Sequence, residues 1–126
     1  MNWFEAEDFC RSLGGHLASF SSDTISSLVA SGQQLNLRNS FPWIGFNILN
    51  TTNGYQWSDG SSVSFTNWDT NQPDNYNNNE PCVQMRTSQK WNDINCYVEL
   101  GWACKIPKGI DPSIRPIVIN ELFPSI

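Results

Sequence analysis

The sequence is poor in basic residues and has no long apolar segment. Lys and Arg number only 7 against 12 Asp and Glu among 126 residues, which gives a formal net charge of -5 and a pI near 4.5. Nucleic acids and anionic membrane surfaces are bound through clustered Lys and Arg. A membrane-spanning helix needs a run of about 18 or more apolar residues. The sequence therefore predicts neither nucleic-acid binding nor direct membrane insertion of this segment.

Residue patterns for catalysis are also scarce. The single histidine, His16, follows two glycines that end a helical pattern, so we interpret it as a residue of the fold and not as a catalyst. Neither a Ser-His-Asp nor a Cys-His arrangement can be assembled around it. We predict that the protein is not an enzyme.

Cysteine is limited to four residues, whereas aromatic residues are abundant. Six Trp and seven Phe supply bulk for a core in a chain that is 39% hydrophobic and 15% charged. Four cysteines in a small domain predict two disulfides and a secretory compartment, although they could pair in three ways. Zinc is disfavoured because no close Cys-x-x-Cys pair occurs. The sequon Asn50-Thr51-Thr52 predicts glycosylation of Asn50 in an extracellular or cell-surface protein.

The length predicts one domain, and its first part has helical patterns. Over residues 3–13 the apolar positions fall on one helical face, and the glycines at 14–15 end the helix. Residues 16–20 read as a short strand. A second helix is predicted over residues 21–32, with a serine or aspartate as its cap and a glycine at its end.

Short apolar runs separated by turn residues replace the helical pattern after Phe41. Asn53-Gly54 and Asp59-Gly60 are dipeptides typical of hairpin turns. Helices followed by strands predict an α+β fold with an antiparallel sheet. The polar loop 66–80 is long for a compact domain, and such a loop is usually either functional or disordered. The apolar runs on both sides of that loop are 43–46, 55–57, 63–65, 82–85, 90–93 and 101–106.

Several short motifs follow one another along the chain: WFEAEDFC at 3–10, GGHLA at 14–18, WIGF at 43–46, WSDG at 57–60, NW at 67–68, QPD at 72–74, WND at 91–93 and GWAC at 101–104. Their order resembles that of one family, the C-type lectin-like domain. The resemblance covers residues 1–107 and implies the C-type lectin-like fold, with two helices, antiparallel sheets, a long calcium-binding loop and two disulfides. Within the family the chain looks most like a module of a multi-domain receptor of the macrophage mannose receptor type.

The resemblance also has consequences for the disulfides and the two ends of the chain. It implies the pairs Cys10–Cys104 and Cys82–Cys96. The family has a strand before its first helix, whereas this chain begins almost at the helix without a leader segment, as expected for a module of a longer chain. We interpret the tail 108–126 as a linker or the beginning of a next module. The alternative is that its β-like run 115–120 supplies the missing edge strand.

The long loop and a later strand contain a candidate metal site of three carboxylates and two amide oxygens. The five residues are Gln72, Asp74, Glu80, Asn92 and Asp93. A hard cation with flexible geometry prefers such oxygens, which favours Ca²⁺ over Mg²⁺ and zinc. In the resembling family these positions bind calcium, and the peptide bond before the proline, here Pro73, is cis. The positions of the auxiliary calcium of some members hold Asn47, Thr51, Asn75 and Pro81, so only one calcium is predicted.

The resemblance further implies that a sugar binds this calcium and the same five residues. A Ca²⁺ that protein oxygens do not saturate can accept two vicinal sugar hydroxyls. The order Gln-Pro-Asp is the one that the family associates with galactose and N-acetylgalactosamine, and Tyr76 is placed to contact the apolar face of such a sugar. The three carboxylates could imitate a glycosidase pair, but their amide neighbours favour holding a sugar over cleaving it. The alternative is a module that binds proteins or glycoproteins without sugar specificity.

Overall fold

The computed structural model of the chain describes residues 1–22, 41–86 and 90–106, together with the backbone of residues 117–120. In these residues, helix α1 (Trp3–Ser12) precedes a seven-stranded sheet. The predicted α+β fold is confirmed. The second predicted helix, over residues 21–32, falls almost wholly outside the described residues. The strands are β1 (His16–Leu17), β2 (Trp43–Asn47), β3 (Gln56–Trp57), β4 (Cys82–Met85), β5 (Trp91–Ile94), β6 (Trp102–Lys105) and β7 (Ile117–Asn120).

Helix α1 begins and ends as its sequence predicts. At its start the side chain of Asn2 accepts from the Glu5 N–H at 2.9 Å, and the Glu5 carboxylate accepts from the Asn2 N–H at 3.0 Å, which is a capping box. At its end Gly14 has a φ of +89°, a backbone conformation that glycine adopts at little cost. The adjacent Gly15 is required for another reason, because a Cβ there would collide with the backbone oxygen of Lys105.

The sheet is mostly antiparallel, with one parallel pair. The strand order is β1-β6-β2-β4-β5, while β3 pairs with β2 and β7 pairs with β6. Strands β2 and β6 are parallel at the pair Trp43 and Trp102, and the other strand pairs are antiparallel, as predicted. Only strands that are joined by tight turns must be antiparallel, and β2 and β6 are far apart in the sequence. The apolar pattern of a strand does not state the direction of its neighbour.

Two predicted segments differ in outcome. The run 63–65 forms no strand: Val63 is exposed, and Phe65 is half-buried with its ring 5.9 Å from that of Trp91. In the tail, β7 lies antiparallel to β6 from Trp102 opposite Asn120 to Lys105 opposite Ile117. The backbone of 117–120 is therefore a strand of the sheet and not only a linker.

Within the described part of the chain, no helix is long and apolar enough to cross a membrane.

The two disulfides are those that the resemblance implies. Cys10–Cys104 joins α1 to β6 across 94 residues, and Cys82–Cys96 joins the start of β4 to the turn that follows β5 across 14 residues. A cross-link stabilises by restricting the unfolded chain, and the longer closure contributes more, about 4 to 5 kcal/mol against about 3 kcal/mol in the chain-entropy model.

The core contains two adjoining clusters. One surrounds the disulfides and includes Trp3 and Trp43, whose indole N–H groups donate to the backbone oxygens of Ile44 at 2.9 Å and of Met1 at 3.0 Å. The other is aromatic, and the ring of Phe46 lies 4.5 Å from that of Trp57 and 5.1 Å from that of Trp91. Trp91 of β5 belongs to the aromatic cluster, and the next two residues of that strand, Asn92 and Asp93, belong to the predicted site.

A polar network joins α1 to the sheet. The Glu7 carboxylate accepts from the Leu17 N–H at 2.9 Å and from the Ser58 hydroxyl at 3.0 Å, and it lies 2.6 Å from the Nδ1 atom of His16. His16 thus contacts a structural carboxylate on the helix, as expected for a residue of the fold.

Candidate functional site

Two elements carry the predicted site: the long polar loop and strand β5. The loop is attached to the strand at its beginning, where the Asp69 N–H donates to the Trp91 carbonyl at 2.9 Å and the Trp91 N–H donates to the Asn67 carbonyl at 2.8 Å. Asp69 also accepts from the Arg86 guanidinium at 2.7 Å. Because of these bonds the next residues of the loop lie beside Asn92 and Asp93, which follow Trp91 in β5.

Asp93 attaches the middle of the loop to the strand. Its side chain is only 1% exposed, and its two carboxylate oxygens accept from the Asp74 N–H at 3.1 Å and the Asn75 N–H at 2.7 Å. A buried carboxylate needs such partners, since burial without them is costly. Asp93 is therefore both a potential metal ligand and the residue that holds the loop backbone in place.

The second half of the loop is closed by Glu80. Its carboxylate accepts from the Tyr76 N–H at 3.0 Å, and its own N–H donates to the Asn75 side-chain oxygen at 3.2 Å. These bonds enclose a short 3₁₀ turn, Tyr76–Asn78. Several asparagines in and around the turn have a left-handed backbone conformation, which Gly and Asn tolerate best. Positive φ values occur at Asn71, Asn75, Asn77 and Asn78.

Gln72 brings the two elements together. The peptide bond between Gln72 and Pro73 is cis, as the resemblance implies. One terminal atom of the Gln72 amide lies 2.7 Å from Asp93 Oδ1, 3.1 Å from Asn92 Oδ1 and 3.2 Å from Asp74 Oδ1. If that atom is the amide nitrogen, it donates to these oxygens. If it is the amide oxygen, four oxygens face one another, and a cation is needed to stabilise them.

The three carboxylates are close enough to share one ion. One oxygen each from Asp74, Glu80 and Asp93 lies within 4.8 Å of the others. Oxygens that bind the same Ca²⁺ at its usual bond length of about 2.3 to 2.6 Å are at most about 5 Å apart. The donor set consists of hard oxygens, so the residues present fit this ion.

The electrostatics of the cluster show that its carboxylates repel one another. Burial raises the pKa of Glu80 to about 7, and hydrogen bonding to Asp74 and the charges of Asp93 and Asp74 add to the effect. Burial likewise raises the pKa of Asp93, with a contribution from the charge of Asp74. The hydrogen bond from Glu80 lowers the pKa of Asp74, which favours a proton on Glu80 over one on Asp74. A cation in the cluster would take the place of this proton.

The structure brings all five predicted ligand residues to one place. Tyr76 lies on the same loop with 66% of its side chain exposed. Asn50 lies in an exposed turn after β2, where its side-chain oxygen accepts from the Thr52 N–H at 3.1 Å.

Three residues around the site were not predicted. Asn75 connects Asp93 with Glu80, Gln84 accepts from the Asn92 side chain at 2.8 Å, and Tyr55 lies in the field of the carboxylates. Burial, together with the charges of Asp93, Glu80 and Asp74, raises the pKa of Tyr55 to about 12. The left-handed preference of asparagine was a usable signal for Asn75. Only the register of β4 and β5 could identify Gln84.

Comparisons with known proteins identify the family of this chain. The family model of the lectin C-type domain matches residues 1–106. A low affinity immunoglobulin epsilon Fc receptor of Mus musculus is 38% identical over 104 residues, which are 82% of this chain and 30% of that receptor. An alpha-N-acetylgalactosamine-specific lectin of Patiria pectinifera is 37% identical over 113 residues, which are 81% of this chain and 66% of that lectin. The chain thus spans less than a third of the mouse receptor and 66% of the Patiria lectin.

A solved structure shows the same fold. The cow C-type carbohydrate-recognition domain of CD23, determined in the presence of GlcNAc2Man3 oligosaccharide, superposes with a TM-score of 0.69 at 32% identity. The match covers 82% of this chain and 78% of the cow chain.

Proposed function

Because the chain belongs to the C-type lectin domain family, we propose that it binds one Ca²⁺ and, through that ion, a carbohydrate. The convergence of five oxygen-bearing side chains supports this proposal most directly. The ligands are Gln72, Asp74, Glu80, Asn92 and Asp93.

The donor set favours calcium over other common cations. Magnesium prefers a tight octahedral shell with several waters, and zinc prefers nitrogen and sulfur ligands. Among the five residues there are three carboxylates and two amides, and no histidine or thiol. Neighbouring carboxylates disfavour the ionised state of one another, which favours a divalent cation over a monovalent one.

Sugar recognition would follow from the ligands themselves. When bound, calcium supplies open coordination positions for two vicinal hydroxyls. The ionised carboxylates of Asp74 and Glu80 accept hydrogen bonds from such hydroxyls, and the amides of Gln72 and Asn92 donate to them. The exposed ring of Tyr76 is available to contact the apolar face of the sugar.

We propose a preference for galactose or N-acetylgalactosamine over mannose. The order of amide and acid in Gln72-Pro73-Asp74 is the basis for this preference, and the name of the Patiria relative states specificity for alpha-N-acetylgalactosamine. The cow relative was solved in the presence of a different type of oligosaccharide, which makes mannose the necessary comparison.

The proposed setting is extracellular or at the cell surface, with carbohydrate or glycoprotein ligands and no enzymatic activity. Two disulfides are typical of secreted domains. Glycosylation at Asn50 is proposed because the sequon lies in an exposed turn. Membership of a receptor of the macrophage mannose receptor type stays a prediction, as do a lectin domain ending at residue 107 and a tail beginning at residue 108.

A second candidate is a protein-binding module that does not read sugar. The name of the mouse relative, an immunoglobulin Fc receptor, favours this candidate. The two candidates differ in whether calcium and a free sugar act at the same site.

Calcium titration of the folded domain by calorimetry, followed by binding to immobilised galactose, N-acetylgalactosamine and mannose with and without chelator, tests the proposal. We expect one calcium per chain and chelator-sensitive capture on the galactose-type surfaces. The variant Asp93→Asn should lose both, whereas Asp8→Asn, on an exposed part of α1, should lose neither. Absence of calcium binding, or sugar capture that chelator does not change, would refute the proposal. Calcium binding without capture of any sugar would favour the protein-binding module.

A further inference from the structure

Gln84 is a buried polar residue beside the proposed site, and it is not one of the ligands. It lies in β4 with 7% of its surface exposed, directly opposite Asn92 in the ladder of β4 and β5. The neighbouring positions on β4 are occupied by the apolar residues Val83 and Met85. A polar side chain in an apolar strand costs stability unless it forms hydrogen bonds.

The hydrogen bonds of Gln84 connect the core to the site. Its Oε1 atom accepts from the Asn92 Nδ2 atom at 2.8 Å, and its Nε2 atom donates to the Phe41 carbonyl at 3.4 Å. The Phe41 carbonyl can only accept a hydrogen bond, so it sets which end of the Gln84 amide faces Asn92. That end is the oxygen.

The orientation of Gln84 in turn sets the orientation of the Asn92 amide. With Nδ2 bonded to Gln84, Asn92 Oδ1 lies 3.1 Å from the Gln72 amide, within the cluster of oxygens. A rotation of the Asn92 amide by half a turn would place its oxygen against Gln84 Oε1 and its nitrogen in the metal site. Two facing acceptors lose a hydrogen bond, which disfavours the rotated state.

We propose that Gln84 is the positioning residue of this site. It holds the Asn92 amide so that the Asn92 oxygen faces the cation and the second N–H of Asn92 faces a bound carbohydrate. This inference rests on the proposed calcium-dependent binding. Asn92 is one of the two amides of the ligand set, and an amide, unlike a carboxylate, presents oxygen on one side only. A neutral ligand therefore needs such an orienting partner, and the acidic ligands do not.

Two substitutions at Gln84 separate the acceptor from the packing. Gln84→Met keeps the length and approximate volume but removes the strong acceptor, and we expect a loss of about tenfold or more in calcium affinity, as for other residues that orient metal ligands. Gln84→Glu keeps an acceptor towards Asn92, and we expect calcium affinity at least equal to that of the unmodified protein. Calorimetry measures both, and circular dichroism checks that each variant is folded.

A double-mutant cycle with Asn92→Asp distinguishes positioning from a general effect on structure. A carboxylate presents oxygen whichever way it is turned, so Gln84→Met should cost little further affinity in the Asn92→Asp background. An equal loss from Gln84→Met in both backgrounds would overturn the proposal. Absence of calcium binding by the unmodified protein would instead overturn the proposed function, and the inference with it.

A readout without calcium completes the test. In chelator, the side-chain NH₂ of Asn92 should exchange with water more slowly than that of the exposed Asn50 when both are followed by NMR. Gln84→Met should remove the difference. Equal exchange at Asn92 and Asn50 in the unmodified protein would overturn the proposal, even if the variants at Gln84 did not fold.

Discussion

The aromatic cluster and the oxygen cluster lie next to each other in this molecule, and opposite forces act in them. In the aromatic cluster, the rings of Phe46, Trp57 and Trp91 are 4.5 to 5.3 Å apart, and their contact is itself stabilising. In the oxygen cluster, the carboxylates of Asp74, Glu80 and Asp93 lie within 4.8 Å, and their contact is repulsive when all are ionised. The first cluster can stabilise the fold alone, whereas the second needs a proton or a cation.

The largest expected effect comes from the aromatic cluster. Phe46→Ala should lower the free energy of unfolding by about 3 to 5 kcal/mol, because it removes a buried ring and leaves a cavity. Urea denaturation in chelator measures this loss. Phe4→Ala, at an exposed aromatic of α1, is the matched control and should cost much less. A small effect at Phe46 would mean that the core does not depend on this cluster.

The next largest effect is a separation of ion affinity from stability at Glu80. Glu80→Gln keeps the oxygen that accepts from the Tyr76 N–H but removes one of the repelling charges. Loss of a residue that only orients a metal ligand lowers affinity by roughly tenfold or more, so loss of a ligand itself should lower calcium affinity further. In chelator we expect no loss of unfolding free energy.

Calorimetry and urea denaturation of the same samples test this separation at Glu80. Glu99→Gln, at an exposed acid outside the site, should change neither quantity. If Glu80→Gln destabilises the metal-free protein, the Glu80 carboxylate itself stabilises the fold, and the contrast with the aromatic cluster does not hold.

A change of pH should act in opposite directions with and without calcium. Because the pKa of Glu80 is raised from 4.5 to about 7 in the folded protein, the folded state binds more protons than the unfolded state between these values. Its contribution to stability is therefore present at low pH and is lost as the pH rises through about 7. Calcium binding has the opposite dependence, because the ion competes with that proton.

Melting temperatures measured between pH 8 and pH 5 test this expectation. In chelator the Glu80 contribution should increase on acidification, whereas the stabilisation by added calcium should decrease. The background His16→Gln removes the single histidine and serves as a control. Calcium affinity that stays constant from pH 8 to pH 5 would contradict the role of Glu80 as a ligand.

The smallest expected effect is at Tyr76. Since its side chain is 66% exposed, Tyr76→Ala should change the unfolding free energy by no more than about 0.5 kcal/mol. Calcium affinity should also be unchanged, while capture by galactose surfaces should weaken several-fold. Tyr97→Ala, at an equally exposed aromatic that is not in the loop, is the control for surface hydrophobicity. Unchanged sugar capture would show that the ring does not contact the ligand.

The helix and most strands could be predicted because their signals are local. The apolar face of residues 3–13 and the glycine at its end predicted α1, which ends at Ser12. The run 82–85 coincides with β4. The prediction of a strand at 63–65 failed because Phe65 packs against Trp91 without strand pairing, and this role depends on a neighbour far away in the sequence.

The sequence by itself determined the ligand chemistry of the candidate site. The three carboxylates and two amides of the set favoured a hard cation before any geometry was known, and the resemblance to the family implied that they form one site. The cysteine count allowed three pairings, and the resemblance to the family selected the pair of disulfides that the structure contains.

Only the tertiary structure decided how the ligands meet and what orients them. The register of β4 and β5 places Gln84 opposite Asn92, and the hydrogen bonds of Asp93 draw the loop onto the strand. Strand pairing and hydrogen bonding join residues that are distant in the sequence, so no local pattern states them. The sequence supplies the oxygens, and the fold aims them at one point.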